Sequence, residues 1–406
     1  MSLIKIKLFK ITIIFISIII LSQNINSMPH INKQNQNINN LLEQDIPNID
    51  WELPYGNSMN EYPTTIFQTK GGGYVISSTI ELDDINETRA KISKINHNGY
   101  EIWNKTYGNE GQYSVTNIQE NNDEHLILFG NSNNNNNNKS WVIKTDALGN
   151  VLWEKSFQYG EKQSLNKGII SDDKSYLFVG TITSNGNSDI WVVKISSIGN
   201  LIWQKTFDIS DTDTGISICK TSNSDYIILG GFIKELLIGS AVKIYLLKID
   251  DNGNQIDENS IGNSFLASMS FGNSICNTPD GGCIIAGFRN YFTNLGKFDY
   301  TLWKLSPSLE LQDEWNFFSS NDFEMLTSVI SYDSGYMAVG NNIDTKDSII
   351  IKIDSYGNTI DYNYLGGDEN DMIDHINNTN DDSFIISGSS KSFNQDKKNE
   401  IWLIKY

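Results

Sequence analysis

Along the chain, apolar residues recur in short runs closed by Gly, Asn or Asp, and after the N-terminus no stretch shows the 3.6-residue period of a helix. Three phrases carry the pattern. The first is Gly-Asn, two residues, Trp, then Lys and an aromatic. It is clearest at 149–157 (GNVLWEKSF) and 199–207 (GNLIWQKTF), close at 100–107 and partial at 50–55. Weaker copies occupy 253–261, 309–317 and 357–365. Its Trp-equivalent positions are 51, 103, 153, 203, 257, 313 and 361, spaced by 52, 50, 50, 54, 56 and 48 residues. The second phrase is an apolar strand flanked by glycine, at 72–78, 125–130, 176–180, 226–230, 282–287, 336–340 and 384–388. The third alternates around a lysine, at 91–95, 141–145, 191–195, 245–249, 303–305, 350–353 and 402–406. With the less regular segment ahead of the glycine-flanked strand, each repeat of about 51 residues holds four short strands.

Four strands in such a period is the unit of a β-propeller blade. The pattern predicts an all-β fold, a seven-bladed β-propeller of four-stranded antiparallel blades. The first Trp phrase has no blade before it, and the last repeat stops at Tyr406 after its third strand. The strand at 49–55 is therefore expected to pair with the last blade and close the ring. A stack with free ends would instead need polar caps at both termini. The predicted organisation is a signal peptide at 1–27, an Asn/Gln-rich leader at 28–48 and a single propeller domain at 49–406.

Several of these phrases resemble a known group: Gly71-Gly72-Gly73-Tyr74, the run 146–150 with Trp153-Glu154-Lys155, and Lys105-Thr106-Tyr107-Gly108. They are similar to the secreted β-propeller repeats of many bacterial and amoebal proteins, and distantly to quinoprotein-type (PQQ-dehydrogenase-like) propeller repeats. The resemblance covers 50–406 and implies a recognition or scaffold module. Its motifs are structural, so they speak to fold and hardly to activity.

Charge narrows the partners. The net charge is −19, and a chain starting at Met28 would carry −22, because Lys5, Lys7 and Lys10 precede it with no acid. Such a surface repels phosphate backbones and argues against nucleic acid. The apolar run 11–21 is too short to span about 30 Å of hydrocarbon, and with its lysines and small residues it reads as a secretory signal. The expected product is secreted, extracellular and monomeric, with no membrane insertion. Sequons at Asn86, Asn104, Asn138 and Asn377 are candidate glycosylation sites. Three cysteines, Cys219, Cys276 and Cys283, leave at least one unpaired; Cys276 and Cys283 flank a turn, but buried small hydrophobes are the preferred reading.

Candidate chemistry is sparse. Quinoprotein activity is disfavoured by seven repeats in place of eight and by the lack of adjacent cysteines. A sialidase needs three arginines, and only Arg89 and Arg289 exist. The histidines are scattered (His30, His97, His125, His375), and the calcium-like run 250–254 lacks its glutamate, Ile261 standing at the twelfth place. No metal and no cofactor is expected. Glu61, Asp213, Glu324 and Asp371 precede the first strands of several blades and are candidate channel-mouth acids: a ring for a cation or polar ligand, a catalytic pair, or the solvated rim of an acidic protein. The tryptophans are expected to pack adjacent blades. The two longest repeats carry apolar insertions at 232–241 and 290–298. Phe232, Leu236, Leu237, Phe265, Leu266, Tyr291 and Phe292 form a candidate binding patch on one rim. The expected function is a secreted non-catalytic binding or scaffold propeller that recognises an extracellular protein or glycan. The alternative is a carbohydrate-active hydrolase with carboxylates at the channel mouth.

Overall fold

The computed structural model describes residues 46–406 apart from 57–58, 83–86, 135–136, 211, 237–238, 265–267, 291–296, 318–321, 368 and 394–397. Leu237, Phe265, Leu266, Tyr291, Phe292, Asn86, the predicted signal peptide and nearly all of the leader therefore lie outside the described residues. Within the body Gln44–Tyr406, the regular elements among the described residues are 28 β-strands.

Most strands meander into four-stranded antiparallel sheets. An eight-stranded sheet is two such units, Glu61–Gln68 to Glu101–Tyr107 and Gln112–Glu120 to Val151–Phe157, joined by one parallel pairing of Thr88 with Gln112. With these two numbered first, units three to seven begin at Lys162–Ile170, Asp213–Lys220, Ser270–Asn277, Glu324–Tyr332 and Asp371–Asn378. Unit seven draws its fourth strand from the other end of the chain. Trp51–Tyr55 lies against Glu400–Lys405, with Trp51 opposite Lys405 and Tyr55 opposite Ile401.

The glycine-flanked runs become the second strands, and the lysine-centred runs become the third. Both are buried on two faces, which is why their sequences are nearly continuous Ile, Val, Leu and aromatics. Neighbouring units pack face to face. Leu177 and Val179 of unit three, for instance, meet Ile218, Tyr226 and Ile228 of unit four. Trp141, Trp191, Trp303 and Trp402 are fully buried on third strands. Their indole N–H groups donate to Glu154, Gln204, Glu314 and Glu52 on fourth strands at 2.7 to 3.1 Å, so the one polar atom of each ring is satisfied.

The fourth strands form the outer edges. Every Trp-equivalent position of the repeat stands opposite a third-strand lysine: Trp51 with Lys405, Trp103 with Lys94, Trp153 with Lys144, Trp203 with Lys194, and Asp257, Asp313 and Asp361 with Lys248, Lys304 and Lys352. The Trp members lean on the tight turn of the following unit. Trp153 and Trp203 donate to Ser197 O and Asp251 O at 3.2 and 3.3 Å, and Trp51 donates to His97 O of unit one at 3.0 Å. The turn glycines take φ near +80°, as at Gly149 (+77°), where a Cβ would come within 2.9 Å of Trp103.

Candidate functional site

Each first strand contains one β-bulge at the same register. The inserted residues are Thr64, Thr116, Asn166, Ile216, Asn273, Thr327 and Asp374. A bulge brings the backbone of the first strand hard against the second, and this explains the glycine that ends the apolar phrase. A Cβ at Gly180 would sit 1.8 Å from Ser164 O, and one at Gly287 1.9 Å from Phe271 O. The bulge also re-aims the residue that follows it. Those residues are Thr65, Asn117, Lys167, Ser217, Ser274, Ser328 and His375, and all of them line one cavity of about 500 Å³. None is apolar.

First strands of successive units touch one another, and Asp371–Asn378 touches Glu61–Gln68. Bulge side chains tie several of these junctions. Asn166 Nδ2 donates to Gly215 O at 2.6 Å, Asn273 Nδ2 to Leu326 O at 2.7 Å and Thr327 Oγ1 to Ile373 O at 2.9 Å. Each acceptor is the carbonyl just before the next unit's bulge. In unit seven the same place holds Asp374, whose carboxylate cannot donate. It makes no hydrogen bond among the described residues, and burial pushes its pKa up to about 7.

Lys167 is the cation that a bulge delivers to this cavity wall, which Lys70 also lines with its ammonium bonded to Asn122 Oδ1. With the Asn117 amide oriented by its partners, Oδ1 accepts from Lys167 Nζ and from Thr65 Oγ1, both at 3.0 Å, and Nδ2 donates to Gly168 O at 3.3 Å. Among the described residues no carboxylate lies within ion-pairing distance of Lys167, and burial lowers its pKa to about 8. His375 is held neutral, its pKa driven well down first by burial and then by the charge of Lys167. Its Nδ1 is buried without a hydrogen-bond partner. Glu120, which accepts from Lys70 N at 2.8 Å, is the carboxylate among the lining residues.

The four candidate acids lie elsewhere, three residues ahead of the bulges and buried: Glu61 and Asp371 at 0 and 1% exposure, Asp213 at 1% and Glu324 at 4%. They serve their own units. Glu61 pairs with Lys91 at 2.9 Å and accepts from Ser78 Oγ at 2.6 Å. Asp213 accepts from Ile209 N, Ser210 N and Ser210 Oγ at 2.6 to 2.9 Å. Asp371 accepts from Gly367 N, Lys391 N and the hydroxyls of Ser390 and Ser392 at 2.5 to 3.2 Å. Glu324 meets Asn342 Nδ2 at 3.4 Å. Asp213 and Asp371 tie down connecting loops, a role that Gln163 plays in unit three through Tyr159 N and Gly160 N. Asp189 and Asp208 bring carboxylate oxygens within 4.8 Å of those of Asp213, and burial raises the pKa of both Asp189 and Asp213.

Of the rim patch, Phe232 and Leu236 fall within the described residues. Phe232 is half-buried and meets the Tyr245 ring edge-on at 6.2 Å, and Leu236 N closes a turn onto Gly239 O. Asn104 is exposed on a fourth strand, whereas Asn138 Oδ1 accepts from Gln163 N, and Asn377 lines the cavity and donates to Ile66 O. All three cysteines carry free thiols. Cys276 stands opposite Ile284 and Cys283 opposite Asn277, one place out of register with each other.

The cavity residues were missed in the sequence, although a signal existed. Six of the seven stand thirteen places before the position of the strand-ending glycine, and Ser328 stands twelve before Gly340.

No family model and no curated protein matches the chain. Solved structures do. Sqt1 from Chaetomium thermophilum is 9% identical, with 86% of this chain and 97% of that chain covered and a TM-score of 0.51. BBS1N, in complex with ARL6DN, is 8% identical over 89% and 97%, also with a TM-score of 0.51. An ulvan lyase of polysaccharide lyase family PL25 is 10% identical over 86% and 95%, with a TM-score of 0.55. At such identities the likeness speaks to fold alone, and the fold it supports is the β-propeller.

Proposed function

We propose that the four-stranded units are the seven blades of one propeller, that Trp51–Tyr55 closes its ring, and that the protein is a secreted, monomeric, non-catalytic recognition module. Its partner is an extracellular protein or glycan, received at the central channel. Ring closure is supported by the pairing of Trp51–Tyr55 with Glu400–Lys405 and by the bonds from unit seven to unit one, Trp51 Nε1 to His97 O and Asn377 Nδ2 to Ile66 O. Secretion rests on the lysine-bearing apolar N-terminus, and the protein should appear in the medium beginning near Gln23 or Met28.

One observation carries the choice of recognition over catalysis. The side chains that follow the bulges into the cavity are hydroxyls, an amide, a lysine and an imidazole, and the rest of its polar lining is amides with Lys70 and Glu120, while the acids a hydrolase would use are buried and bonded within their own units. A glycosidase needs two carboxylates facing across a cleft, and Glu120 alone does not make a pair. The test is capture from a glycan panel and from the secretome, using the wild-type chain and a Ser274→Trp variant that fills the channel. Capture that is lost in the variant, with no turnover by the wild type, is expected. Turnover of a polysaccharide would overturn the reading, and capture that survives the filled channel would move the site to the rim around Phe232.

A further inference from the structure

We propose that the cavity is a binding site for a hydroxylated carboxylate of sugar-acid size, with Lys167 taking the carboxylate and Ser217, Ser274 and Ser328 taking the hydroxyls. This rests on the recognition reading above and names its ligand class.

One charge in the cavity wall is unmatched. In a chain of net charge −19, the partly buried Lys167 lines an open-mouthed cavity with no carboxylate within ion-pairing distance among the described residues. Holding a cation away from bulk water is costly unless an anion meets it. An ammonium has three N–H groups; Asn117 Oδ1 takes one, and two remain. The wall offers no competing anion nearby. Glu120 is bonded to Lys70 N, and Asp374 does not line the cavity.

The second observation is the rest of the wall. Ser217, Ser274 and Ser328 line the cavity, and their hydroxyls make no hydrogen bond to another described residue. His375 contributes a buried Nδ1 that also lacks a partner. A hydroxyl both donates and accepts, so three such groups match the vicinal hydroxyls of a sugar better than they match a bare inorganic ion. About 500 Å³ lies within the range of small-molecule sites, and much of it would stand unused around an ion of a few atoms. The anionic end and the hydroxylated body thus both have places in one cavity.

The probe is glucuronate, titrated calorimetrically into the full chain, with glucose and inorganic phosphate as comparators. Saturable glucuronate binding at least tenfold tighter than glucose is expected. It should fall at least tenfold in Lys167→Met and severalfold in the Ser217→Ala, Ser274→Ala, Ser328→Ala triple variant, with melting temperatures unreduced. Equal binding of glucose and glucuronate, undiminished binding by Lys167→Met, or binding of phosphate but not glucuronate would each overturn the assignment. If Lys167→Met failed to fold, the serine triple variant would decide. Wild type that captures a macromolecular partner but ignores glucuronate sinks this inference alone. Wild type that binds glucuronate but captures no partner sinks only the wider reading.

Discussion

The outermost and innermost strands of these units follow opposite rules. On the outer strands one register repeats seven times, with a lysine facing Trp or Asp at every copy. On the first strands the backbone repeats just as strictly, with a bulge at one place in each, yet the residue delivered to the cavity is Thr, Asn, Lys, three times Ser, and His. The four outer tryptophans meet the same neighbour, the turn of the next unit, so one solution serves them all. The inner positions face a shared space, and a shared space is shaped by differences among its contributors. Regularity marks packing; departure from it marks the place where the molecule can be specific.

The largest expected effect tests the outer rule. Deleting 49–55 strips unit seven of its fourth strand and leaves Glu400–Lys405 as a bare edge. We expect aggregation in light scattering and loss of the cooperative thermal transition. Removing the adjoining buried indole by Trp402→Ala is expected to cost about 3–5 kcal/mol in denaturant unfolding. A deletion that left the transition unmoved would break the comparison at its base, because the outer register would then hold nothing together.

Next come two inner residues whose charged forms the fold disfavours. Asp374 has a native pKa near 7 against an ordinary value near 4, so the native state prefers it protonated. The cost is absent below about pH 4, grows as pH rises and is complete above pH 7, where it reaches up to about 4 kcal/mol. Asp374→Asn supplies the donor that Asn166 and Asn273 already provide at their junctions. It should raise stability at pH 8 and leave it unchanged at pH 4. Lys167 runs the other way: with its pKa lowered to about 8, its cost is complete below pH 8 and fades as pH rises past 10. Lys167→Met should stabilise by up to about 3 kcal/mol at pH 7 and by little at pH 10.5. Denaturant melts across this pH range check both. A flat difference in either case would mean that these side chains reach bulk water.

This contrast also explains how much could be read from the chain. The four strands per repeat and the pairing of 49–55 with the last strand were legible because Trp, Gly and Lys recur where packing is identical. The cavity was not, because Thr65, Asn117, Lys167 and His375 share no residue type, and only their distance to the end of the apolar phrase, Gly in three copies and Ser78 in the first, links them. The surroundings of Asp213 and Asp371 were illegible for a related reason. A carboxylate that receives backbone N–H groups inside a fold and one that meets a ligand look alike in sequence, and burial separates them.

The smallest expected effect sharpens the outer rule at two turns. Gly149 and Gly186 have nearly the same backbone, φ +77° and +79°, so replacing either by Ala carries the same left-handed penalty of roughly 1 kcal/mol. Their surroundings differ. A Cβ at Gly186 meets nothing within 4 Å, whereas one at Gly149 comes within 2.9 Å of both Trp103 Cζ3 and Tyr107 Oη, the atoms that join the outer strand of unit one to the turn of unit two. The difference between the two variants therefore isolates the contact between units from the cost of the turn. Gly149→Ala should be the more destabilising by about 1 kcal/mol, since close packing leaves the indole little room to withdraw. Equal losses in parallel denaturant melts would show that Trp103 gives way freely, and that the outer strands are held by their own ladders and not by the neighbouring turn.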